Sequence, residues 1–162
     1  MIRPAPRFKD ALDVLAHHGV EFVVVGGVAA VLAGAPISTF DLDIVPARSP
    51  ANLARLLSAL SELDARYRDL TRRIRRPDAQ GLAGPSHHLL LTTCGPVDVL
   101  GTIGHGDGYD ELLADVVERQ LGAHRVRTLG LATLIRTKQA AGRAKDLAVL
   151  AILRKTLEES AT

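Results

Sequence analysis

Two aspartates flank one leucine in Thr39-Phe40-Asp41-Leu42-Asp43-Ile44-Val45, and a third stands in Gly95-Pro96-Val97-Asp98-Val99-Leu100. Both segments are otherwise apolar. A carboxylate in such surroundings is costly unless it is paired or holds a cation. On a β-strand, residues i and i+2 face the same side, with Cα atoms roughly 6.5–7 Å apart. Asp41 and Asp43 could therefore reach one metal ion or a close pair of ions, while Leu42 and Ile44 face a core. If the strand of Asp98 lies beside that of Asp43, three carboxylates meet on one face. Oxygen donors of this kind suit Mg²⁺ or Mn²⁺. A lone D-x-D is also the pattern of two solvated charges on an edge strand. The apolar setting of both segments is what favours a cation site.

Other residues bear on the same chemistry. Gly26-Gly27 follows the β-branched run Val23-Val24-Val25 and precedes a short helical stretch. Without side chains, backbone N–H groups can approach a phosphate at a helix start. The pair is also what a tight strand-to-helix turn requires. It is neither a Walker A loop nor a G-x-G-x-x-G fingerprint. Lys138 sits on a helical pattern otherwise apolar at Leu131, Leu134 and Ile135, and could reach triphosphate oxygens or snorkel into solvent. Arg66, Arg68, Arg72, Arg73, Arg75 and Arg76 crowd one segment, which suits tracking RNA phosphates or forming a solvated surface. The histidines lack metal-ligand spacing. His87-His88 lie at a strand start, by a cleft or in an ordinary strand-end role. Cys94 has no catalytic partner near it in sequence.

These residues need elements to hold them. Apolar spacing predicts helices over 8–18, 28–33, 50–63, 109–121, 131–141 and 144–157. β-rich runs predict strands over 21–25, 40–45, 88–93, 97–100 and 124–128, with 88–100 forming a hairpin. Residues 65–85 yield no periodic element: an arginine-rich stretch gives way to Asp78-Ala79-Gln80-Gly81-Leu82-Ala83-Gly84-Pro85, a loop composition. The resulting class is α/β (α+β): a small mixed sheet flanked by helices, closed by C-terminal helices, in one domain over 1–162.

Composition sets the bounds. The chain has 162 residues, 47% hydrophobic and 3% aromatic, with no tryptophan, so stacking platforms for bases are scarce. Its formal net charge of +2 implies no nucleic-acid partner by itself. One cysteine rules out a disulfide within the chain and a cysteine-rich zinc site. No apolar run is long enough to span a bilayer, and the N-terminal residues do not read as a signal peptide. A cytoplasmic protein without a membrane partner is the expectation.

Taken together, Val25-Gly26-Gly27, Thr39-Phe40-Asp41-Leu42-Asp43, Val97-Asp98-Val99 and Lys138-Gln139-Ala140-Ala141-Gly142-Arg143-Ala144-Lys145-Asp146-Leu147 resemble the nucleotidyltransferase superfamily of the DNA polymerase β type. More narrowly, they look like the small prokaryotic nucleotidyltransferases that include toxins of the abortive-infection type IV group. The similarity runs from about Phe22 to Leu153. Two positions depart from the pattern. Gly27 stands where a serine is usual, and Ile37 stands where a basic residue is common. The resemblance implies a Mg²⁺-dependent (or Mn²⁺-dependent) transfer of a nucleoside monophosphate from an NTP to a hydroxyl. Asp41, Asp43 and Asp98 would be the catalytic and metal-binding residues, and Gly26, Gly27 and Lys138 would bind the nucleotide. The implied acceptor is an RNA or tRNA end, reached through the Arg66–Arg76 segment, in a toxin–antitoxin setting with an antitoxin or other protein partner. Two alternatives stay open: transfer of AMP to a protein, and a non-catalytic nucleotide-binding or interaction module.

Overall fold

The computed structural model describes residues 4–69 and 73–161. Arg72 of the arginine-rich segment lies outside them. Among the described residues, seven strands form one mixed sheet in the order β3-β4-β5-β2-β1-β7-β6. The strands are β1 (Phe22–Val25), β2 (Leu42–Pro46), β3 (Arg66–Tyr67), β4 (His87–Thr92), β5 (Gly95–Leu100), β6 (Val116–Leu121) and β7 (His124–Leu129). The helices are α1 (Phe8–His17), α2 (Gly26–Leu32), α3 (Pro50–Glu62), α4 (Ala79–Leu82), α5 (Tyr109–Leu112), α6 (Leu131–Ala141) and α7 (Ala144–Ser160). The expected class, a mixed sheet flanked by helices and ending in two helices, is the one observed. No helix of the described residues is long and apolar enough to cross a membrane.

The centre of the sheet positions the acids. β1 and β2 run antiparallel, with Val25 opposite Asp43, and β2 and β5 run parallel, with Asp43 opposite Asp98. All four residues of β1 are buried, as are Leu42, Ile44, Val97 and Val99. These side chains anchor the strands in the core, and the alternation of the pleat turns Asp43 and Asp98 the other way. Register is thus fixed by apolar burial, and the carboxylates inherit it.

Buried Asn52 locks the far ends of the same strands. Its Nδ2 donates to the carbonyls of Glu21 (2.9 Å) and Ala47 (2.7 Å), and its Oδ1 accepts from the Glu21 N–H at 2.8 Å. Because Asn52 lies in the first turn of α3, which Ser49 caps and Pro50 starts, one side chain ties that helix to both central strands.

Two expectations are corrected. Residues 109–121 do not form one helix. α5 ends after one turn, a 3₁₀ turn covers Leu113–Asp115, and Val116–Leu121 is the edge strand β6. β6 pairs antiparallel with β7 across a turn at Gly122, which has φ +59°. The β-branched pair Val116-Val117 and that left-handed turn favour a hairpin over helical periodicity. In the segment of loop composition Ala79–Leu82 forms a helical turn, and in the arginine-rich stretch, which carried no element, Arg66–Tyr67 adds a strand to β4.

Candidate active site

Asp43 and Asp98 are register partners on the adjacent strands β2 and β5. Burial is the largest influence on Asp43. The charges of Asp98 and Asp41 act in the same direction, Lys138 pulls back, and the group is pushed up to about 7. Burial also raises Asp98, against the pull of Arg68. The two carboxyls titrate as a pair. Asp41 lies just before β2 and its side chain is 47% exposed, so it is not buried in a strand as the sequence suggested.

Among the described residues, the cation in contact with these acids is Arg68. Its Nη2 donates to Asp98 Oδ1 at 2.6 Å, and its Nη1 lies 3.5 Å from Asp41 Oδ1. As the side chains stand, no three histidine, cysteine or acidic groups among the described residues surround one point closely enough to hold a metal ion. The donor set nonetheless fits a hard divalent cation. Three carboxylates, Asp41 just before β2 and Asp43 and Asp98 on adjacent strands, two of them with pKa values raised chiefly by burial, already draw a guanidinium to them.

The glycine pair sits against this cluster. Gly26 has φ +65°, and a Cβ there would overlap Asp43 Oδ2. Its lack of a side chain therefore lets the turn approach the carboxylate. A Cβ on Gly27 would come within 2.5 Å of Thr39 Oγ1 and 2.8 Å of Thr39 Cβ. The threonine hydroxyl fills the space that a serine side chain at 27 would need, so the departure at Gly27 is matched by Thr39. A Gly26→Ala variant is expected to lose about 1–2 kcal/mol from the left-handed backbone alone and to displace Asp43. Urea unfolding, together with a metal-binding titration, measures both effects.

A basic group lies within electrostatic reach of Asp43. Asp146, only 1% exposed, accepts hydrogen bonds from Arg143 Nε (2.5 Å), Arg143 Nη2 (3.2 Å) and Lys138 Nζ (3.3 Å). Burial raises its pKa, but the bonds from Arg143 and Lys138 outweigh that and leave it below the usual carboxylate range. Lys138 on α6 and Arg143 in the α6–α7 turn thus share one buried anchor. Both feel the charge of Asp43. The helical pattern alone suits Lys138 either at triphosphate oxygens or snorkelling into solvent, and it does not reveal that Asp146 is buried. The K-x-x-A-x-R-x-K-D spacing was the signal, since it sets Lys138, Arg143 and Asp146 around the Gly142 break.

Most of the remaining candidates stand apart. Arg75 pairs with Asp69 at 2.7 Å and lies over the Tyr67 ring, and Arg76 pairs with Asp64 at 2.7 Å. Arg66 and Arg73 are exposed. His88 is buried and bonded through Nδ1 to the Tyr67 hydroxyl at 2.8 Å, in an ordinary structural role on the sheet face opposite Asp98. Cavities of about 300 Å³ beside Phe22 and Arg127 and about 260 Å³ beside His105 and Arg136 are not lined by any of the three acids.

The sheet order and flanking helices define a nucleotidyltransferase-like fold. Among solved structures, the chain is similar to the lincosamide antibiotic adenylyltransferase LnuA with lincomycin bound: TM-score 0.63, 11% identity, covering 95% of this chain and 99% of that one. It is also similar to a candidate nucleotidyltransferase from Thermotoga maritima, with TM-score 0.53, 19% identity, and 94% and 91% of the two chains covered. At these identities the likeness is one of fold. No protein-family model matches the chain, and no curated protein matches it.

The acid pair has a consequence for stability. A carboxyl whose folded pKa lies above its unfolded value disfavours folding once the unfolded chain has ionised. The metal-free protein is therefore expected to lose stability as pH rises from about 4 to 7, by at most about 1.4 kcal/mol per pH unit from Asp43. Chemical denaturation in EDTA across that range tests it. A rise in stability would contradict the assignment.

Proposed function

We propose that this chain is a nucleotidyltransferase, one domain over residues 1–162, that moves a nucleoside monophosphate from an NTP to a hydroxyl. The observation that carries the proposal is the register pairing of Asp43 with Asp98, with Asp41 two residues away and the Gly26–Gly27 turn against them. Asp41, Asp43 and Asp98 are the residues that would hold Mg²⁺ or Mn²⁺. Divalent ions bound there would neutralise triphosphate charge and stabilise the attacking and leaving oxygens.

The chain's own groups have distinct tasks in this reading. Lys138 and Arg143, held by Asp146, bind triphosphate oxygens. The Gly26–Gly27 backbone and the Thr39 hydroxyl line the turn beside them. Asp98, its basicity raised by burial, takes the proton of the acceptor hydroxyl. A bond forms from that oxygen to the α-phosphorus, the bond from the α-phosphorus to the bridging oxygen breaks, and pyrophosphate leaves.

An RNA 3′ end is one acceptor, with Arg66 and Arg73 available for phosphates, and a toxin–antitoxin role belongs to that version. Ion pairing of Arg68, Arg75 and Arg76 weakens it, and the likeness to an enzyme named for a small antibiotic favours a second reading, a small-molecule hydroxyl. Incubation with each α-labelled NTP, Mg²⁺, and total RNA, lysate protein or a set of hydroxylated small molecules separates the versions. Label on RNA supports the first, label on small molecules the second, and label on protein an AMP-transferring enzyme. No transfer in any mixture supports the non-catalytic module.

A further inference from the structure

The role of Arg68 is not set by the arginine-rich composition around it. Its backbone is fixed just past β3, where its N–H donates to the Leu89 carbonyl at 3.0 Å. Leu89 is in turn the register partner of Asp98. Arg68 therefore stands two strands from Asp98 on the same face of the sheet. Its guanidinium crosses Leu89 to reach Oδ1 of both Asp98 and Asp41. The side chain is 26% exposed, so its head group has solvent to move into.

We propose that Arg68 is a positioning residue: a built-in counter-cation that holds Asp41 and Asp98 in register and that a divalent ion must displace. The proposal rests on the reading of the three acids as a metal site. Three neighbouring carboxylates repel one another, and one guanidinium offsets part of that repulsion without metal. A metal ion held by these acids would draw on the same carboxylate charge, so the two cations compete. Binding the metal repels the guanidinium, which is then free to meet an anionic group of the substrate. Arg68 thereby sets how much free cation is needed before the site is loaded, and it keeps the acids aligned until then.

The test is a titration of full-length protein with Mn²⁺ alone at pH 7.5, reading free Mn²⁺ by electron paramagnetic resonance. The parent, Arg68→Ala, Arg68→Lys and an Arg68→Ala/Asp41→Ala double variant are compared. Arg68→Ala is expected to bind Mn²⁺ about tenfold more tightly, the weight of one charge-assisted contact. Arg68→Lys should fall between it and the parent, and the double variant should lose the gain. In EDTA, Arg68→Ala should melt below the parent, and Mn²⁺ should raise its melting temperature more than it raises the parent's. Parental or weaker Mn²⁺ binding in folded Arg68→Ala would overturn the proposal while leaving the metal site intact. If that variant fails to fold, Arg68→Lys decides: tighter binding than the parent supports the competition, and equal or weaker binding overturns it. Failure of both parent and variants to bind Mn²⁺ would overturn the metal reading itself.

Discussion

Asp43→Asn is expected to reduce nucleotidyl transfer by at least about 1,000-fold, the scale on which enzymes lose a preorganised electrostatic contact in the transition state. The same change should stabilise the metal-free protein at pH 8 by about 1–3 kcal/mol. Both effects come from one property. Asp43 is ionised there against burial and the neighbouring charges of Asp98 and Asp41, and asparagine keeps the shape while removing the charge. Activity and stability moving in opposite directions is the mark of a site held at a cost to the fold. A variant that is both inactive and unstable would point to a structural role, and one with parental activity would remove Asp43 from the chemistry. Labelled-nucleotide transfer and urea unfolding on the same preparation measure both.

Asp146→Ala is expected to cost about 2–3 kcal/mol of stability, somewhat below the roughly 3–5 kcal/mol typical of breaking a buried pair from one side. The discount follows from the two cations left behind. The side chains of Lys138 and Arg143 are 26% and 61% exposed, and both can regain water. Sign and pH window follow from its lowered pKa. The stabilisation from Asp146 is present in full above its ordinary value near 4 and disappears as pH falls through the depressed folded value. The difference between parent and variant should therefore be constant from pH 5 to 8 and shrink toward zero below about 4. This window lies below the one assigned to Asp43, so the two can be told apart in one pH series. The variant should also need more NTP for half-maximal rate, because Lys138 and Arg143 lose the anchor that aims them. Unchanged nucleotide dependence would separate the basic pair from substrate binding.

The parts legible in the sequence were those fixed by local pattern. Apolar runs interrupted by Asp43 and Asp98 located the central strands, and Gly95-Pro96 marked the hairpin between β4 and β5. A period of two put Leu42 and Ile44 on the buried side, where both are found fully enclosed. What the sequence did not yield depended on partners far along the chain. Arg68 reads as one arginine among six, and its partners lie 27 and 30 residues away, across a strand. Asp146 stands beside Lys145 in the sequence, yet it is buried and turned to Lys138 on the previous helix. β6 carries a pattern that also suits an amphipathic helix, and its pairing with β7 decides for the strand. In Gly27 the sequence showed a missing hydroxyl, and the neighbourhood of Thr39 appeared only in three dimensions.

The central claim is that Asp41, Asp43 and Asp98 jointly hold divalent cations beside a nucleotide. Crystals grown with MnCl₂ and a non-hydrolysable NTP analogue, with data collected for the anomalous signal of manganese, test it most directly. The predicted result is a manganese peak about 2.1 Å from oxygens of Asp41 and Asp43, with triphosphate oxygens against Lys138 and Arg143 and the Arg68 head group moved off the carboxylates. Manganese and nucleotide bound elsewhere, with Arg68 still bridging Asp41 and Asp98, would contradict it.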